Sequence, residues 1–289
     1  MDYYTRIQQS IDFIESHLEE ELFIADIAAK AHFSPFHFQR LFQAISGSSV
    51  QEYIRSRRLA EAARLLESGH GSILDIALSA GYGSQEAFTR AFAGCFGVTP
   101  AKFRKQPCAI RMSEPMKFTD YSNYKEDGFH MRKPEIREIT PLRVVGRKYR
   151  TCLNNELYFA EIPGFYHDFG IRETYMRIPD KAAPDMCYGI SCDYEDDGGF
   201  SFLVGEEVCA FTDSLDEDLV QFVVPGGKYA VFIADGTAEH VQQVRKYIYG
   251  VWLPGSNYER REGPDFEVTD VRNSRYPDEM KMTIYIPIL

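Results

Sequence analysis

The chain has 289 residues, of which 44% are hydrophobic, 26% charged and 14% aromatic, and 43 acidic against 32 basic side chains give a net charge of −11. Apolar content of this order offsets the ordering entropy of folded domains, which excludes wholesale disorder, and at roughly 100–200 residues per domain the length suits two domains. No run of about 18 apolar residues is free of charge, which excludes a membrane-spanning helix. The first residues (Met1-Asp2-Tyr3-Tyr4-Thr5-Arg6) lack the basic-then-apolar layout of a secretion signal. Six scattered cysteines with no CxxC read as reduced thiols of a cytoplasmic protein. Neither they nor the histidines show ligand spacing, so no metal site and no cofactor is expected.

Residues 1–106 carry helix-period patterns and an internal repeat. At an offset of 49, Asp26, Ile27, Ala28, Ala31 and Phe33 meet Asp75, Ile76, Ala77, Ala80 and Tyr82; at an offset of 50, Ser34, Phe38, Arg40, Phe42 and Gly47 meet Ser84, Phe88, Arg90, Phe92 and Gly97. Each copy has the logic of a helix-turn-helix. A small residue (Ala28, Ala77) allows a close helix crossing, a short turn follows (with Gly81 in the second copy), and Ser34 or Ser84 caps the next helix. Phe38, Leu41, Phe42 and Ile45 form its inward stripe. The outward positions are Phe36, Gln39 and Arg40 in the first copy and Gln85, Glu86, Thr89 and Arg90 in the second. Gln and Arg pair bidentately with adenine and guanine edges in the major groove. A plain helical bundle with solvated Gln and Arg is the alternative, and the retained outward arginine argues against it.

Between the copies, Ser49 to Glu67 holds no proline or glycine and reads as one helix of about 28 Å, a spacer able to set two recognition helices near one turn of DNA apart, about 34 Å. Arg55, Arg57 and Arg58 on it, and Lys102, Arg104 and Lys105 after the second copy, are expected against backbone phosphates. Residues 33–106 hold nine basic and five acidic side chains, a local excess of +4 that leaves −15 for the rest. A basic module beside an acidic one implies two functions, one attracting phosphate and one not.

Arg58-Leu59, the paired motifs and Gly97-Val98-Thr99-Pro100-Ala101-Lys102-Phe103-Arg104 resemble the signature of AraC-type transcription factors over about residues 5–106. Ser34-Pro35-Phe36-His37-Phe38-Gln39-Arg40 so near the N-terminus resembles the Rob-like branch, whose DNA-binding half comes first. The resemblance implies two recognition helices in adjacent major grooves, a double-stranded promoter site as partner and RNA polymerase as a further one. Glu86 is an acid beside DNA that either accepts from a cytosine amino group or faces away.

Residues 107–133, with Pro107, Pro115 and Gly128, read as a linker with one short strand. From 134 the pattern gives a strand at Arg143–Tyr149, helical character from Ile162 to Tyr175, and strands at Tyr188–Cys192 and Phe200–Gly205. The order then recurs: a strand at Gly227–Ile233, a helix from Thr237 to Leu253, and strands at Phe266–Val268 and Lys281–Ile288. The expected fold is multidomain: an all-α double helix-turn-helix domain (1–106), the linker, and an α+β domain (134–289) of two β-α-β-β units, an antiparallel sheet with two helices.

Pro225-Gly226-Gly227-Lys228-Tyr229-Ala230-Val231-Phe232, Trp252-Leu253-Pro254-Gly255-Ser256, Gly263-Pro264-Asp265-Phe266-Glu267 and Ile284-Tyr285-Ile286-Pro287-Ile288 resemble GyrI-like effector-binding domains, including the drug-sensing halves of multidrug regulators. The resemblance implies a small effector held in an aromatic pocket, lipophilic and cationic where a buried carboxylate is present. The candidates here are Tyr149, Phe165, Tyr166, Trp252, Tyr258 and Glu267. Family members often carry an acid just ahead of the closing segment; Thr283 stands there, which leaves the charge of the effector open. No Ser-His-Asp set, HExxH or phosphate loop is present, so a regulator is expected, not an enzyme; a GyrI-like hydrolase or a ligand-sequestering domain on a DNA-binding module is the alternative.

Overall fold

A computed structural model describes residues 3–117, 131–153, 157–195 and 198–289. They group into two compact units, Met1–Phe38 with Ser48–Tyr124, and Gln39–Gly47 with Lys125–Leu289. No helix among the described residues is long and apolar enough to cross a membrane.

Seven helices come first: α1 (Tyr3–Ser16), α2 (Ile24–Lys30), α3 (Pro35–Ser46), α4 (Val50–Ser68), α5 (Ile73–Ser79), α6 (Gln85–Phe96) and α7 (Pro100–Lys105). The expected spacer is α4. Its start is fixed by a capping box in which Ser49 accepts from the Glu52 amide and Glu52 accepts from the Ser49 amide; Gly69, in the left-handed region, ends it. The second copy packs around Leu59, Ala63 and Leu66 of α4, with Ile76, Ala77, Phe88, Phe92 and Phe103 buried against them. In the first copy Ile7, Ile11 and Ile14 of α1 are fully buried, as are Ile27, Ala28 and Phe38.

The two motif turns solve the same backbone problem with different residues. His32 has φ +54° and Gly81, its counterpart 49 positions on, has φ +80°. The left-handed region is costly for a residue with a Cβ, and in the first copy Arg6 braces it: Nε donates to Ala31 O and Nη2 to His32 O, both at 2.7 Å, with the guanidinium 3.9 Å above the Phe33 ring. In the second copy glycine removes the strain, and a Cβ there would lie 2.6 Å from Arg58 Nη1.

Part of the stretch read as a linker, 107–117, belongs to the helical unit. Ile110 and Met112 pack on the second copy's core, the Met116 amide donates to Tyr53 Oη at 3.1 Å, and Arg57 Nη1 donates to Ser113 O. Residues 118–130, with the short strand expected in the linker, lie outside the described residues.

The second unit carries an eight-stranded antiparallel sheet: β1 (Glu135–Ile139), β2 (Leu142–Cys152), β3 (Met186–Cys192), β4 (Gly199–Glu207), β5 (Val220–Val224), β6 (Gly227–Ile233), β7 (Phe266–Asp270) and β8 (Met282–Pro287), in the order β1-β6-β8-β7-β3-β4-β2-β5. The two expected β-α-β-β units are β2-α8-β3-β4 and β6-α9-β7-β8, with α8 at Leu157–Ile171 and α9 at Ala238–Tyr247. Helix α8 starts five residues before the expected Ile162 and contains Pro163; a 3₁₀ turn at Thr174–Arg177 follows it. Helix α9 runs on through a π-helical stretch (Ile248–Trp252) into a last turn at Leu253–Gly255.

The pattern did not resolve β1 and β5, five-residue strands at the sheet's two edges. Each pairs with the opposite half, β1 with β6 and β5 with β2, so neither forms a local hairpin signal. Strands β3 and β7 join the halves, with Gly189 opposite Glu267. Alternation along the strands divides the apolar residues between two clusters: Val144, Tyr188, Ile190, Leu203 and Phe266 on one face, Val145, Cys187, Phe202 and Val204 with Tyr158 and Phe169 of α8 on the other.

Candidate nucleic-acid interface and ligand cavity

Helix α6 begins with Ser84, whose side chain accepts from the Ala87 amide at 3.2 Å, fixing the entry of the chain into the helix. Phe88 and Phe92 are buried, which turns the opposite side outward: Gln85, Glu86 and Arg90 are exposed and Thr89 is half-buried. Glu86 faces its own helix start. Its own amide and the Ser84 hydroxyl hold its carboxyl below the usual carboxylate range, with a smaller contribution from Arg90. A first-turn acid engaged in this way stabilises the helix end.

The expectation that Phe36, Gln39 and Arg40 of α3 face outward is corrected: Phe36 and Gln39 are buried, and Arg40 packs on neighbouring side chains. Arg40, grouped with the second unit, has its guanidinium 4.9 Å above the Tyr249 ring and Nη2 3.8 Å from Asp265 Oδ2. Along α4, Arg55 is exposed, Arg57 is buried and Arg58 is half-buried. The expectation that Arg57 meets phosphate is corrected: its Nε and Nη2 donate to Glu15 at 2.8–3.1 Å, and Nη2 also reaches Glu61 at 3.2 Å. A guanidinium 1% exposed and bound to two carboxylates is a structural tie between α1 and α4. Arg58 has a structural partner set as well, donating to Leu18 O at 2.7 Å and Glu20 O at 2.6 Å. After α6, Lys102 and Lys105 are exposed and Arg104 half-buried, on a helix capped by Thr99.

The second unit contains a cavity of about 630 Å³ on the sheet face that carries α8. Tyr158, Phe159 and Phe169 line it from α8, Phe202 from β4, Met282 and Ile284 from β8, and Val241 and Arg245 from α9. Of the six expected ligand residues the cavity collects two, Tyr166 and Glu267. Tyr149 and Phe165 stack on each other outside its lining, with ring centroids 4.6 Å apart, and Tyr149 Oη donates to Asp168 at 3.0 Å. Trp252 and Tyr258 also stack outside it, with the Trp252 ring edge-on to Phe232. Aromaticity alone did not separate these pairs from the cavity wall, because both are satisfied by neighbouring rings.

Glu267 is buried on β7, with Gly189 opposite it on β3. A Cβ at Gly189 would meet Tyr166 Oη at 2.1 Å, Phe202 Cζ at 2.6 Å and Glu267 Cγ at 3.0 Å, so glycine is what lets these groups meet on the cavity floor. Tyr166 Oη donates to Glu267 Oε1 at 2.9 Å, and Arg245 Nη2 donates to Oε2. Burial and then the Glu267 charge push the Tyr166 phenol far up, which keeps it a donor.

Three further ion pairs lie around the cavity, two of them between residues far apart in the chain: Lys181 Nζ lies 2.6 Å from Glu206 and Arg272 Nη2 lies 2.8 Å from Asp185, while Arg260 Nη2 lies 2.7 Å from Asp265, five residues on. Burial raises the Glu206 carboxyl against the pull of Lys181, and pushes Asp265 up to about 7 against that of Arg40. Burial, with the Glu206 and Glu267 charges, also pushes the Cys187 thiol up, so it stays protonated near neutral pH.

The departure at Thr283 has no bearing on this cavity. Met282, Ile284 and Ile286 line it; Thr283, between them on β8, pairs with Val268 and Ile233 and faces the other side of the sheet.

A family model described as an integron-associated effector binding protein matches residues 135–288, and one described as a helix-turn-helix domain matches 27–106. The right origin-binding protein of Escherichia coli K12 is 30% identical over 310 residues, covering all of this chain and 99% of that protein. The transcriptional regulator Rob of Salmonella typhimurium is 28% identical over 303 residues, with 100% and 99% covered. Among solved structures, a transcriptional regulator with an AraC-type DNA-binding domain from Chromobacterium violaceum covers 36% of this chain and 96% of its own, at 29% identity and a TM-score of 0.34.

Proposed function

This chain belongs to the AraC-type regulators in which a helix-turn-helix region precedes an effector-binding domain, and we propose which of its surfaces read DNA and what its cavity holds. It is a DNA-binding transcriptional regulator. The DNA-binding domain includes the helices of 1–106 together with 107–117, which pack on them, and the effector-binding domain is 134–289. Gln85, Thr89 and Arg90 of α6 read base edges in a major-groove segment; Phe36, Gln39 and Arg40 of α3, packed into the protein, are not part of that reading surface. Arg55, Lys102 and Arg104 position the duplex through its phosphates, while Arg58 stays a structural tie to the segment that follows α1, and RNA polymerase is the partner that receives the signal.

The observation that carries the DNA reading is α6 itself, a capped helix anchored by Phe88 and Phe92 that turns Gln85 and Arg90 to solvent. Selecting duplexes from a random library with the full chain and footprinting the winner tests it. A selected sequence with a protected major-groove segment supports the reading. Binding with no preference among sequences at moderate salt removes it.

The effector is a small lipophile bound in the cavity over β3 and β7, with Tyr166 and Glu267 as its polar floor. A volume of about 630 Å³ fits a drug-sized molecule, and a mostly apolar wall with a few convergent polar groups is the usual make-up of such a site. The role is binding without turnover, supported by a Cys187 thiol held protonated and by ion pairing of every lining acid among the described residues.

A further inference from the structure

Among the described residues the acids lining the cavity are Asp185, Glu206, Asp265 and Glu267, and each faces a cation of the protein: Arg272, Lys181, Arg260 and Arg245 in turn. A carboxylate in an apolar hollow attracts cations strongly only while its own charge is uncompensated. Glu267 has both oxygens occupied, one by the Tyr166 hydroxyl and one by Arg245. Arg245 comes from α9, and its side chain retains 19% exposure. Its guanidinium therefore reaches in from the cavity wall and sits where the charged head of a lipophilic cation would sit.

We propose that Arg245 is a specificity-determining residue, a built-in counter-ion that fills the cation subsite at Glu267 and tunes the cavity to uncharged lipophiles. The proposal rests on the cavity being the effector site. A permanent cation entering this pocket gains no net charge attraction unless it displaces Arg245, whereas an uncharged ligand packs on Tyr158, Phe202 and Ile284 without disturbing the pair. Removing Arg245 exposes the Glu267 charge and reverses the preference.

The test measures the affinity of the full chain for two probes of similar bulk, tetraphenylphosphonium as the permanent cation and triphenylphosphine oxide as the uncharged one. In the wild-type protein the uncharged probe is expected to bind at least as tightly as the cation. Arg245→Met and Arg245→Gln should each tighten cation binding by at least about tenfold while changing the uncharged probe less than threefold. Adding Glu267→Gln should cancel the gain, and Arg245→Lys should retain the wild-type preference. Thermal melting reports whether each variant folds; the wild-type preference needs no variant at all. A wild-type protein that prefers the cation tenfold or more overturns the proposal, as does a folded Arg245→Met whose cation affinity is unchanged. If neither probe binds the wild-type protein or any folded variant, the effector reading of the cavity falls and this proposal with it; uncharged-probe binding without the Arg245 effect removes the proposal alone.

Discussion

The helical unit and the sheet unit are both duplications, and they keep their candidate functional groups in opposite kinds of place. In the helices each copy is complete in itself, with a turn, a cap and an inward aromatic stripe, and the outward side of α6 is left to meet a partner. In the sheet the polar groups of the cavity floor gather at the seam between copies: Gly189 comes from the first half and Glu267 from the second, and Arg245 reaches them from α9. A surface on a self-contained motif diverges residue by residue without unfolding it. A seam changes only in concert, because every group there is another's partner.

The largest effect that would break this comparison is loss of the frame in the first helical copy. Arg6→Ala strips two carbonyls of their charged donor and removes the cation over Phe33; the expected loss is about 2–4 kcal/mol, read by chemical denaturation. Next comes the glycine of the second copy. Gly81→Ala places a Cβ in the left-handed region and against Arg58, with an expected loss of about 1–3 kcal/mol.

The seam glycine sharpens the contrast. Gly189→Ala forces Tyr166 away from Glu267, and an uncharged lipophilic probe should lose at least about tenfold in affinity, about 1.4 kcal/mol, by calorimetric titration. The smallest effect belongs to His32→Gly. Relief of the left-handed strain offsets the extra chain entropy of glycine, so stability should stay within about 0.5 kcal/mol of wild type. A large loss at His32 with none at Gly81 would mean that the two turns are not equivalents.

The helical half was legible because helix period, caps and inward aromatics are local. Ser84 caps α6, and α4 spans Val50–Ser68 where the pattern marks Ser49–Glu67. What local pattern does not carry is the partner of a charge. Arg57 looks like its neighbours on α4 and is distinguished by Glu15, 42 residues earlier. Glu267 looks like any strand acid and is distinguished by Tyr166, 101 residues away, and by Arg245 on α9. The sheet order was also hidden, since β1 and β5 pair across the halves. One signal was present and unread: alternation of Met282, Ile284 and Ile286 already puts Thr283 on the other face of β8.

The most direct measurement of the central claim is the affinity of the full chain and of Arg90→Ala for a selected duplex and for random duplex, across a range of salt. If Arg90 reads a base, the variant loses about 1–3 kcal/mol on the selected site, nearly nothing on random DNA, and keeps the wild-type salt dependence. Equal losses on both duplexes with a shallower salt dependence would make Arg90 a phosphate contact. No loss on either would contradict recognition through α6.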